Sequence, residues 1–88
     1  MKYVLLYDAS IEGLARAPEN FAAHRARWQT FVETGTLVMI GPFADPREGA
    51  MAIFTTRKAA EEFAAGDPFV INGVVAGWRV REWNEALT

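Results

Sequence analysis

The chain has no cysteine, a single histidine and a single serine among its 88 residues. Disulfide staples and thiol nucleophiles are thereby excluded, and a zinc site has no spaced ligand set to draw on. Ser10 stands in a loop without the glycine-flanked turn that activates a serine nucleophile, so a hydrolase triad is not expected. No glycine-rich loop is present to cradle phosphates, and no nucleotide cofactor is expected. Nine Lys and Arg against eleven Asp and Glu leave a net charge of −2, with the two signs interspersed. Without a basic tract to meet a phosphate backbone, nucleic acid is not an expected partner. No apolar run approaches the roughly 20 residues that cross a bilayer. Asp8 also interrupts the first apolar run too early for a signal peptide. These absences together predict a cytoplasmic, single-domain chain over residues 1–88 that needs neither metal nor cofactor and has no membrane partner.

What is present in abundance is apolar surface. Hydrophobic residues make up 51% of the chain, including six Phe, three Trp and two Tyr. A chain this short buries only about 60–65% of the surface its unfolded form exposes. That much greasy surface on so small a domain predicts self-association. The run Lys2-Tyr-Val-Leu-Leu-Tyr-Asp8 reads as a strand, followed by a loop over 9–17. Pro18 opens a helix that runs to about Thr34, where Gly35 supplies a left-handed stop. Residues 36–41 and 50–55 read as the strands of a hairpin, joined through Gly41-Pro42-Phe43 and a turn over 44–49. A second helix over 57–65 ends at Gly66. Asp67-Pro68 then caps a short turn over 69–72, and residues 74–83 form the last strand.

The order β-α-β-β-α-β is the ferredoxin-like α+β arrangement, with two helices on one face of an antiparallel sheet and the first and third strands in its centre. The strands are apolar at both parities, so the helix-free face is expected to pack against a second copy in a homodimer.

His24 lies in line with Phe21, Trp28 and Phe31, at helical spacing on one face. An imidazole has been set on a stripe that otherwise holds aromatic carbon. Chain direction places it roughly 9 Å below the helix start. At that same end of the sheet the chain delivers Tyr7-Asp8, Pro42-Phe43 and Asp67-Pro68-Phe69. Asp67 can then serve twice, one carboxylate oxygen capping the helix while the other accepts from one imidazole nitrogen, leaving the other nitrogen free as acid or base. Phe43 and Phe69 would wall a cleft suited to a planar apolar ligand, Pro42 would shape its turn, and Tyr7 would offer a hydroxyl. Arg25 and Arg27 flank the stripe and read most simply as solvated. A core histidine beside an ordinary helix cap accounts for the same pattern, so a binding or accessory domain stays open as an alternative to an enzyme.

The set of motifs in order resembles the YciI-like (YCII-related) family. It comprises the Tyr-hydrophobic-Tyr strand, His24-Arg25, Gly41-Pro42-Phe43, Gly49-Ala-Met and Asp67-Pro68-Phe69 before a Trp-rich strand. The resemblance spans residues 1–85. It implies a small ferredoxin-like dimer related to muconolactone isomerases and the dimeric α+β barrels. It also implies a His–Asp pair at the positions of His24 and Asp67, used on a small cyclic or aromatic-derived acid in an isomerase, lyase or dehalogenase type of reaction.

Overall fold

Lys2–Ala9 forms β1, as its β-branched and aromatic run requires. The computed structural model describes residues 1–87. Helix α1 spans Ala17–Glu33 and stops at Gly35, whose φ is +79°. Strands β2 (Leu37–Pro42) and β3 (Ala50–Phe54) make the hairpin, and α2 (Arg57–Gly66) follows. Its N-cap Thr56 accepts a hydrogen bond from the Ala59 N–H. A single turn, α3 (Pro68–Ile71), then leads into β4 (Val75–Trp83). The expected loop before α1 instead contains a 3-10 turn over Gly13–Arg16. Ser10 holds it, its hydroxyl accepting from Gly13 N–H at 2.9 Å and its carbonyl from Leu14 N–H at 2.9 Å. The lone serine therefore has a turn-forming role.

The sheet order is β2-β3-β1-β4 and every pairing is antiparallel, so β1 and β3 are central. Strand alternation sends Leu5 and Tyr7 to the helix-covered face and Val4 and Leu6 to the other. On the covered face Leu5 pairs with Ala52 and Val80, while Tyr7 pairs with Ala50 and Trp78. Phe54, Phe63 and Leu5 are fully enclosed there, with Phe31 edge-on to both phenylalanines. On the helix-free face Val4 pairs with Ile53 and Leu6 with Met51. Met39 and Trp83 extend that apolar surface and are 63% and 45% exposed.

Alpha-helix α1 buries only one residue, and that residue is His24. Its aromatic stripe closes onto the sheet only toward its C-terminal end, where Phe31 meets Phe54, while Phe21 is 50% exposed. The N-terminal part of the helix therefore leaves an open space beside the sheet. No helix among the described residues is long and apolar enough to cross a membrane.

Gly49 fixes the register beside this space. Its φ is +100°, and a Cβ built there would fall 2.0 Å from the Tyr7 carbonyl oxygen. Gly49→Ala combines a disfavoured backbone with a clash against a central strand. We expect it to cost about 2–4 kcal/mol, or about 10–20 °C in Tm. A thermal melt unchanged from the parent chain would contradict this.

Candidate active site

The end of α2 sets the position of Asp67. Arg27 reaches across from α1 and donates from Nε to the Phe63 carbonyl at 3.1 Å and from Nη2 to the Glu62 carbonyl at 2.6 Å. Its guanidinium also lies over the Phe31 and Phe63 rings. The expectation that Arg27 is solvated is thus corrected, because carbonyls of the last helical turn attract a cation. Spacing held a signal for this: Arg27 lies one turn beyond His24 on the same helix, so it too is aimed toward α2. Immediately after Gly66 the backbone becomes extended, and Asp67 caps α3, its Oδ1 accepting from Phe69 N–H at 3.2 Å.

Asp67 is completely buried and His24 is 8% exposed. His24 Nδ1 lies 2.8 Å from Asp67 Oδ1, and the Tyr7 hydroxyl donates to Asp67 Oδ2 at 2.5 Å. The same carboxylate oxygen therefore caps α3 and meets the imidazole, while the second oxygen is taken by Tyr7. Sequence reasoning gave the two roles to different oxygens and directed the Tyr7 hydroxyl at the cleft. It is turned away because Leu5 and Tyr7 share the covered face and the buried carboxylate is the acceptor within reach. A carboxylate holding Nδ1 requires the proton of a neutral imidazole to sit on Nδ1, which leaves Nε2 with its lone pair. The Phe69 ring stacks on His24 at 3.9 Å between centroids and 5° between planes, fixing the ring's orientation.

Among the described residues Nε2 has no hydrogen-bond partner, yet no fully buried side-chain nitrogen or oxygen lacks one. It therefore keeps some exposure, and His24 lines the adjoining cavity of about 410 Å³. Cavities of this size hold small organic ligands. Leu14, Phe21, Trp28, Ile40, Pro42 and Phe69 contribute to its walls. Phe43 does not reach it: its backbone N–H closes the hairpin on the Gly49 carbonyl at 2.9 Å, and its side chain lies outside the lining. The wall residues Leu14 and Trp28 carry no distinguishing sequence signal, since apolar residues at helical spacing look alike whether they face a core or a cavity. Among the described residues no three carboxylate or imidazole groups are gathered as a metal site would need.

Burial holds the Tyr7 hydroxyl well above its ordinary range, followed by the negative charge of Asp67 and the hydrogen bond to it, with Arg27 opposing weakly. The folded state thus favours the neutral phenol. That stability is complete below the unfolded tyrosine value of about 10 and is lost as pH rises above it, by up to about 1.4 kcal/mol per pH unit. In an alkaline titration one of the two tyrosines should form phenolate only as the chain unfolds. Phenolate from both at pH about 10 in the folded protein would contradict the geometry.

The YCII-related domain model matches residues 1–84. No curated protein matches the sequence. Among solved structures, the chain is similar to 5-chloro-2-hydroxyhydroquinone dehydrochlorinase (TftG) from Burkholderia phenoliruptrix AC1100, determined in complex with 2,5-dihydroxybenzoquinone. The two share 21% identity at a TM-score of 0.78, over 98% of this chain and 96% of that one, which is a likeness of fold. With the domain model spanning all but its last few residues, this chain belongs to the YCII-related family.

Proposed function

We propose that this chain is a small enzyme that moves a proton on a ring-derived substrate, with His24 as the base and Asp67 as its orienting partner. The observation that carries this reading is the division of the imidazole. Nδ1 is held by a buried carboxylate while Nε2 is left without a partner, on a residue that lines an apolar cavity. In the reaction Nε2 takes a proton from an acidic O–H or C–H of the substrate, and Asp67 balances the imidazolium that forms. Returning the proton to a different carbon gives an isomerisation. Alternatively the electron pair left behind forms a double bond while a halide departs with its own bonding pair, a net loss of HX. Both sequences balance without an oxidant. Phe69 and Pro42 supply walls for the ring, and Tyr7 acts through Asp67. Support for a ring substrate comes from the fold neighbour, a dehydrochlorinase solved in complex with a dihydroxybenzoquinone.

The test is a screen of lactones, chlorinated hydroxylated rings and chlorinated aromatic acids for product formation, run in parallel on the parent chain and His24→Gln. Product from the parent alone supports the role; equal product from both removes it.

The helix-free face, with Val4, Leu6, Met51, Ile53 and Trp83, is the surface we assign to a second copy. Light scattering at micromolar concentration should give twice the 9.8 kDa chain mass. A mass of one chain would refute the assignment.

A further inference from the structure

The lining of the cavity limits the charge of what can enter. None of the nine Lys and Arg residues contributes to its walls. Three side chains with hydrogen-bonding atoms reach it, His24, Tyr7 and Trp28; the Tyr7 hydroxyl is already committed to Asp67, and the Trp28 indole N–H is a neutral donor. Of the arginines in the adjoining segments, Arg25 is exposed outside the lining, Arg47 pairs with Asp45, and two others are occupied elsewhere. Arg27 is spent on the Phe63 and Glu62 carbonyls, and Arg16 donates to the Asn72 and Gly73 carbonyls at 3.1 and 3.3 Å.

We propose that the cavity selects an uncharged ring and turns away carboxylates, so that the proton His24 removes comes from a ring hydroxyl or an activated carbon. This rests on the base role assigned to His24 above. A carboxylate brought in would give up its water without a cation in return, and would lie near the buried negative charge of Asp67. The neutral Trp28 N–H brings no charge to offset it, and Nε2 could donate to it only by carrying a proton, when it can no longer accept one. A neutral hydroxylated ring meets none of these penalties. Its apolar faces pack against Phe69, Phe21 and Trp28, and its O–H can donate to the Nε2 lone pair. Selection here works by exclusion of the charged analogue, which a desolvated site does more sharply than it distinguishes shapes.

The single histidine makes the test direct, because every imidazole signal in an NMR spectrum belongs to His24. The probes are 4-methylphenol and 4-methylbenzoate at neutral pH, which share a ring and a methyl group and differ in charge. We expect 4-methylphenol to shift the His24 signals with an affinity at least about 100-fold above that of 4-methylbenzoate. Leu14→Arg, which adds a cation to the wall, should narrow that preference by at least about tenfold. Comparable or tighter binding of 4-methylbenzoate by the parent chain would overturn the proposal, as would no response to 4-methylphenol. Calorimetry on His24→Gln separates the two ideas. A preserved preference for the phenol there, with catalysis also preserved, would sink the base role and leave the charge selection standing. Loss of the preference in that variant would instead place the selection in His24 and overturn the wall argument.

Discussion

Replacing His24 by glutamine should lower kcat/KM by about 10²–10⁴-fold while leaving the fold intact, the range one positioned base contributes. Glutamine keeps a polar end of similar reach, and one amide N–H can still donate to Asp67 Oδ1 in place of the Nδ1–H. The buried carboxylate is thus not orphaned, and the stability change should stay within about 1–2 kcal/mol. What glutamine lacks is a group that accepts a proton near neutral pH. The loss should appear in kcat rather than in KM, because the cavity walls that hold a ring are untouched. Urea denaturation and steady-state kinetics check the two halves. A variant that keeps full activity removes His24 from the chemistry, and one that fails to fold makes its role structural.

Asp67 carries the second large effect, and its two variants should separate stability from chemistry. Asp67→Ala leaves the Tyr7 hydroxyl, the Phe69 N–H and the His24 Nδ1–H without their shared acceptor in a fully buried place. We expect a cost of about 3–5 kcal/mol, a large part of the total stability of a domain this small. Asp67→Asn behaves differently. Its amide oxygen fits the Oδ1 position, where it meets two donors, and its NH2 faces Tyr7, whose hydroxyl can turn to accept. The fold and the Nδ1–H tautomer then persist, but the charge that balances an imidazolium is gone. Turnover should fall about 10²-fold or more, with the imidazole nitrogen shifts in NMR still reporting a proton on Nδ1. A proton found on Nε2 in this variant would overturn the orientation argument. Unchanged turnover would show that the carboxylate's charge has no part in the reaction.

The route from residues to site was partly legible in advance. The strand and helix order followed from apolar runs punctuated by Pro18, Gly35, Gly66 and Pro68, whose backbone constraints are local and act whatever surrounds them. Direction along those elements is enough to bring His24, Asp67 and Tyr7 to one end of the sheet. The 3-10 turn over Gly13–Arg16 was not legible, since Ser10 forms it through side-chain and backbone bonds no more distinctive than those of any loop serine. Arg27 was misjudged for a related reason. It flanks the aromatic stripe rather than lying on it, and its partners lie on a helix more than 30 positions away.

The lone histidine on an aromatic stripe, the capping aspartate before proline and the missing cysteines were fixed by the chain alone. They made a His–Asp pair the natural place to look. Only the tertiary structure decided how that pair divides its hydrogen bonds, with one carboxylate oxygen serving both the cap and the imidazole and the other drawing in Tyr7. Only it decided that the N-terminal part of α1 leaves a space beside the sheet, so that Phe21 and Trp28, on a stripe which reads as core, become walls of a cavity without a cation. Periodicity records which residues share a face, but the distance from that face to the next layer is set by packing among all the layers at once.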